Sequence, residues 1–206
     1  QNLIVFENVN PDRVYLLGYS AGGDGVYQLA PRMADRFGAA AMMAGHPNDA
    51  LPDGLRNLPF TLHMGGDDGA YDRNKVAAEW KVKLADLKKS DKGGYDHWVE
   101  IYAGKGHWMD REDAAALPWM AERTRNLRPE RIVWRQGSRT HKRFYWLAVE
   151  TPVAGSKVVV ERRGQTIHVV DIEGNVAFIN QSILDGAHEI VVQVVSDNPA
   201  VLDTTS

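Results

Sequence analysis

The sequence predicts an α/β protein, a parallel sheet interleaved with helices, followed by a smaller antiparallel β-sandwich-like unit. Short apolar runs alternate with amphipathic helical patterns up to about residue 125, as βαβ units do. After Arg128-Pro129 the helical patterns stop, and strand-like stretches recur with turn signals about every ten residues. The domains are therefore expected at 1–128 and 129–206. With 206 residues, 44% hydrophobic and 25% charged, the composition is that of a globular chain, which excludes disordered, collagen-like and coiled-coil architectures.

Val14-Tyr-Leu-Leu-Gly18 is apolar on both faces and reads as a buried parallel strand. Val26, Leu29, Met33 and Phe37 follow at helical spacing, with Pro31 expected to kink that helix or start it afresh. Ala39–Ala44 and Pro59–Met64 are the next strands. Val76, Trp80, Leu84 and Leu87 mark a second amphipathic helix, Trp98–Tyr102 a fourth strand, and Arg111–Arg123 a third helix. In the second unit the expected strands are Ile132–Arg135, Phe144–Val149, Lys157–Arg162, Thr166–Ile172, Val176–Ile179 and Ile190–Val195.

Several function classes fall away on composition. Twenty-four Lys and Arg face 27 Asp and Glu, for a net charge of −3, so no field of one sign points to nucleic acid or an anionic membrane. There is no cysteine, which excludes disulfide scaffolds, thiol catalysis and Cys-ligated zinc. No apolar run approaches the roughly 18 residues of a membrane span. Residues 1–8 lack the regions of a signal peptide. The chain opens without Met, as a processed or trimmed chain does, and nothing in it specifies a compartment.

The chemistry is concentrated in three places. Gly18-Tyr19-Ser20-Ala21-Gly22 fits G-x-S-x-G between a buried strand and a helix, the context a nucleophile elbow demands. Bulky side chains at Gly18 and Gly22 are expected to collide there, and the helix N-terminus is expected to face any oxyanion formed at Ser20. Without this chemistry, Ser20 would be only an N-cap. A serine hydroxyl needs a histidine to take its proton, and that histidine needs an orienting carboxylate. His107, in Gly104-Lys-Gly-His107 just beyond the fourth strand, is the best candidate. His63 reads as a satisfied core residue, His46 as a pocket residue, and His97 as lying at the opposite sheet edge. For the acid, Asp68 in Gly65-Gly-Asp-Asp68 fits best, with Asp67 in reserve and Asp72 a further candidate. Asp67 or Asp72 is alternatively a cap for the helix near Arg73.

The order Ser…Asp…His on successive strand ends matches that of α/β-hydrolases. On Arg13–Gly23, Gly65–Asp68 and Gly104–His107, residues 10–125 resemble the C-terminal half of an α/β-hydrolase. The nearest branch is that of phospholipase/carboxylesterase-like, polyhydroxybutyrate-depolymerase-like and feruloyl-esterase-like proteins. The resemblance implies an esterase in which Ser20 is nucleophile, His107 general base and Asp68 its orienting acid. It also implies that the Ala21 N–H is one oxyanion donor, that no cofactor is needed, and that the substrate is a small or polymeric carboxylic ester. Tyr19, His46 and Trp108 are candidate pocket residues.

One departure matters. The family has three or four strands before the nucleophile strand and draws its second oxyanion donor from them, whereas thirteen residues precede Val14. At about 30 residues per βα unit, on the order of 100 residues are absent. The upstream half of the sheet is expected from the same polypeptide or a second chain, with Val14–Leu17 left as an exposed edge here. Such a piece alone is expected to be weakly active.

Trp134–Trp146 mixes basic and aromatic residues, which reads as alternating strands with a solvated basic turn rather than a nucleic-acid platform. No metal-ligand spacing appears, and Gly22–Gly25 lacks the lysine of a phosphate loop. The alternative reading is an inert hydrolase-like protein that acts as a binding or scaffolding module through its β-rich C-terminal domain, supported by the appended domain with its Trp134, Phe144, Tyr145 and Trp146.

Overall fold

The computed structural model describes residues 2–148, 152–164, 166–173, 178–179 and 191–194. The chain divides into two compact units, Gln1–Asn126 and Leu127–Ser206.

The first unit is built on four parallel strands, β1 (Tyr15–Tyr19), β2 (Ala39–Met43), β3 (Phe60–Gly65) and β4 (His97–Tyr102), in the spatial order β1-β2-β3-β4. β2 and β3 are buried along their whole length, as central strands covered on both faces must be. A short helix not evident in the sequence, α1 (Asn2–Phe6), precedes them. Helices α2 (Ala21–Arg32) and α3 (Arg73–Ser90) connect the strands on one face. There Tyr27 of α2 meets Trp80 of α3 with ring centroids 4.5 Å apart, and both lie against Phe60 of β3. On the other face, Ala39, Ala41 and Met43 pack with Met109 and with Ala116 and Met120 of the short helix α4 (Ala116–Ala121). Alternation along β2 sends its odd residues to α4 and its even residues to the face covered by α2.

α2 runs through Pro31 and ends one residue past it, a separate 3-10 turn, Ala34–Arg36, follows, and Phe37 is extended. The expected helix over Arg111–Arg123 is not continuous. A 3-10 segment, Met109–Ala115, holds Asp110 and Arg111 in the left-handed region, and only Ala116–Ala121 is α-helical. Three successive residues with positive φ, at 51°, 51° and 67° for Met109, Asp110 and Arg111, cannot extend a right-handed helix.

Among the described residues, β1 pairs only with β2, and Leu17 on it is 51% exposed. The strand is thus an open edge, a place where further backbone can pair.

In the second unit, β5 (Arg131–Arg135), β8 (Lys157–Arg163), β9 (Thr166–Glu173) and β11 (Val191–Val194) form one sheet in the order β11-β9-β8-β5. Its β5–β8 and β8–β9 pairs are antiparallel, whereas β9–β11 is parallel. A second sheet joins β6 (Arg143–Phe144), β7 (Leu147–Ala148) and β10 (Phe178–Ile179), all antiparallel. The single strand expected over Phe144–Val149 is instead part of a tight hairpin that turns at Tyr145, with φ 54°. Val149, Val176, Ile190 and Val195, expected in strands, lie outside the described residues. Trp134, Phe144 and Trp146 are buried, with the Trp134 and Phe144 rings stacked at 5.7 Å and the Trp146 indole N–H donating to the Pro129 carbonyl. These aromatics fill the interior, so they offer no exposed contact surface. Among the described residues, no helix is long and apolar enough to cross a membrane.

Candidate active site

The elbow between β1 and α2 is as sharp as the motif requires. Ser20 sits at φ 57°, ψ −121°, outside the regions comfortable for an L-residue; such strain costs on the order of 1–3 kcal/mol and concentrates at functional sites. The turn is held by the Ser20 N–H donating to the Met43 carbonyl and by the Asp24 N–H donating to the Ser20 carbonyl. A Cβ on Gly18 would collide with the Gly22 backbone. The matching expectation for Gly22 is corrected, because a Cβ there meets nothing within 4 Å. The demanding position is Gly23, whose Cβ would lie 2.5 Å from the Met43 carbonyl oxygen and 2.9 Å from the Gly45 nitrogen. Gly23 is what lets α2 approach the end of β2.

Two further loops meet at this end of the sheet. After β3 comes Gly66–Asp68, and after β4 comes Ala103–Trp108. They are joined by backbone bonds from Gly66 N–H to the Tyr102 carbonyl and from Asp67 N–H to the Lys105 carbonyl, both 2.8 Å. A Cβ on Gly65 would collide with the Lys105 and Gly106 carbonyls, so glycine is required for the loops to touch.

The structure brings Ser20, His107 and Asp68 into one hydrogen-bonded line. His107 Nε2 is 2.9 Å from Ser20 Oγ, and His107 Nδ1 is 2.6 Å from Asp68 Oδ2. The Asp68 side chain is only 3% exposed, while that of His107 is 37% exposed. An ionised Asp68 accepts from Nδ1–H and leaves Nε2 as the acceptor facing the serine hydroxyl. Asp67 is exposed and takes part through its backbone. Asp72 occupies the N-cap of α3 but makes no side-chain cap bond; its carboxylate pairs with Lys75 at 2.7 Å. Ala21 is the first residue of α2, where the backbone N–H has no intrahelical partner and the helix dipole favours negative charge.

Tyr19 lies against the histidine, with ring centroids 5.1 Å apart, and its hydroxyl donates to the His107 carbonyl at 3.1 Å. Burial, followed by the charges of Asp113 and Asp68, pushes the Tyr19 phenol above its ordinary value, so it remains a neutral donor. Trp108 packs edge-on to Tyr19 and is 57% exposed, an apolar surface beside the serine. His46 follows Gly45; its N–H donates to Asp24 Oδ1 at 2.6 Å, and its ring accepts from the Asn48 N–H. His63 is fully buried between Thr61 and Tyr102. His97 opens β4, at the end opposite to the one that leads to His107. Two supporting residues carry no motif and escaped sequence reasoning. Asn74 binds the Gly66 and Asp68 carbonyls through its side-chain and backbone N–H, and Arg73 reaches Asp68. Among the described residues, no group of three or more His, Asp or Glu could hold a metal ion.

Parallel strands, a strained serine between β1 and α2, and acid and histidine loops at the ends of β3 and β4 compose the α/β-hydrolase arrangement. No family model matches the chain, and no curated protein matches it. Among solved structures, the chain is similar to a thermostable esterase (TM-score 0.48, 21% identity, 60% of this chain and 34% of that one). It is also similar to a ferulic acid esterase (TM-score 0.43, 20% identity, 59% and 58%). A third similar structure is the S-formylglutathione hydrolase of Staphylococcus aureus (TM-score 0.44, 15% identity, 58% and 56%). The chain spans less than two thirds of the length of each of these structures.

Proposed function

We propose that the protein is a serine hydrolase acting on carboxylic esters, with Ser20 as nucleophile, His107 as general base and acid, and Asp68 as the orienting carboxylate. The observation that supports this reading most is the unbroken contact from Asp68 through both ring nitrogens of His107 to Ser20 Oγ. Ser20 attacks the ester carbonyl as its proton passes to His107 Nε2, and the oxyanion develops beside the Ala21 N–H. Collapse of the tetrahedral intermediate breaks the bond to the alcohol, which leaves with the proton held on Nε2. Water then gives a proton to His107, attacks the acyl-serine and releases the carboxylic acid, restoring the Ser20 hydroxyl. Asp68 keeps Nδ1 protonated throughout and stabilises the imidazolium. Ala21 is one oxyanion donor, and the open edge of β1 is where a completing segment would pair and supply a second. Trp108 and Tyr19 offer an apolar wall for the acyl or aryl part of a small or polymeric ester.

A fluorophosphonate probe is expected to label Ser20 in the complete protein and to leave Ser20→Ala unlabelled. Equal labelling of the two, or none of the wild type, overturns the reading.

A further inference from the structure

We propose that Arg73 is a positioning residue for the triad acid: its guanidinium neutralises Asp68 and pins one carboxylate oxygen so that the other faces His107. The inference rests on the Ser20–His107–Asp68 reading and adds to it a residue that no motif marks.

The two Asp68 oxygens have separate partners. Oδ2 meets His107 Nδ1 at 2.6 Å, and Oδ1 meets Arg73 Nη1 at 3.5 Å. With Asp68 3% exposed and Arg73 13% exposed, water contributes little to holding either charge. Whenever His107 is neutral the buried carboxylate still needs a cation, and among the described residues Arg73 is the one in contact with it.

Local structure is arranged against its own preferences to put that cation there. Arg73 is the first residue of α3, which has no acidic residue in its first turn. A positive charge at this end opposes the helix dipole. Tyr71 and Asp72 before it are both left-handed, at φ 56° and 55°, and neither is glycine. The Tyr71 ring lies 4.9 Å from the guanidinium carbon and covers its outer side. Asp72, the nearest acid in the chain, pairs with Lys75 instead. Arg73 Nε is buried with no hydrogen-bond partner among the described residues. Left-handed backbone at the two residues before it, together with an unfavourable dipole and an unsatisfied donor at Arg73 itself, marks a position whose gain lies elsewhere, and the structure offers Asp68 as that gain.

The test follows the His107 Nδ1–H proton by NMR in the full chain, a readout that needs no turnover. The wild type is expected to show the downfield signal of an Nδ1–H bonded to carboxylate. Arg73→Met and Arg73→Gln should lose or broaden it, and Arg73→Lys should restore it. Fluorophosphonate labelling of Ser20 should slow by on the order of tenfold to a hundredfold in the two uncharged variants. With p-nitrophenyl acetate, kcat should fall while KM holds. A wild-type signal in folded Arg73→Gln overturns the proposal even if Arg73→Met fails to fold, and so does a wild type lacking the Nδ1–H tautomer. Failure of the hydrolase reading shows separately, as an unlabelled wild-type Ser20.

Discussion

Acidification from pH 7 to pH 4 is expected to destabilise the first unit through one residue remote from the reaction, His63. Its ring is fully buried between Thr61 Oγ1 and the Tyr102 hydroxyl, both at 2.8 Å, with Trp98 edge-on at 4.7 Å. Burial pushes its pKa down from 6.5 to about 4. A folded value below the unfolded one means that the unfolded chain binds more protons between these two pH values. The stability is therefore complete above about pH 6.5 and is lost as pH falls towards 4. At about 1.4 kcal/mol per pH unit, the interval is worth about 3 kcal/mol. Proton counting makes this an upper figure. Thr61 donates to the Trp98 carbonyl and Tyr102 to the Glu112 carbonyl. Both ring contacts then carry a proton only when the imidazole is charged, which returns part of the cost. Urea unfolding at pH 7, 6, 5 and 4 should show the wild type losing more stability than His63→Gln, by up to about 3 kcal/mol. The remaining carboxylates are common to both proteins, so the difference isolates His63. Parallel stability curves for the two would refute the reasoning.

Two further predictions concern the elbow and the acid loop. Gly23→Ala should destabilise the protein by about 1–3 kcal/mol through its clash with the β2 backbone and abolish labelling of Ser20. Gly22→Ala, whose Cβ meets nothing, should be neutral or stabilise by about 0.5–1 kcal/mol; thermal unfolding of the pair reads both. Asp68→Asn should slow the reaction at Ser20 by orders of magnitude, up to about 10⁴ as for other triads, whereas Asp67→Asn should leave it near wild type. Labelling kinetics decide between the two carboxylates.

Much of the first unit was legible because its signals are local. A strand covered on both faces tends to be an apolar run, and β2 and β3, buried along their whole length, are such runs between turn residues; β1, read as buried from the same signal, is half-buried with Leu17 exposed. A strand–glycine–serine–glycine–helix junction states its own geometry, and the chain order of Ser20, Asp68 and His107 follows once the strands are counted. The signals failed where the deciding contact is distant. The spacing of Gly65-Gly-Asp-Asp68 favours Asp68 and leaves Asp67 in reserve, and a window of a few residues goes no further. The choice is made where Gly65 meets Gly106 and the Asp67 N–H reaches the Lys105 carbonyl, about forty positions away. Gly22 carries the motif, yet Gly23 carries the packing, because only the fold sets α2 on the end of β2.

The periodicity over Arg111–Arg123 looked helical because side-chain spacing does not register φ, and the left-handed run at Met109–Arg111 breaks it. The parallel pairing of β9 with β11 is likewise a long-range pairing with no local pattern. Apolar spacing thus located the central strands, and the G-x-S-x-G junction located the serine on its bend. Tertiary structure set the favoured carboxylate, Asp68, against the histidine, and it alone decided which arginine stands behind it. Those choices depend on close approaches between loops, and a chain writes such approaches into no single stretch of its length.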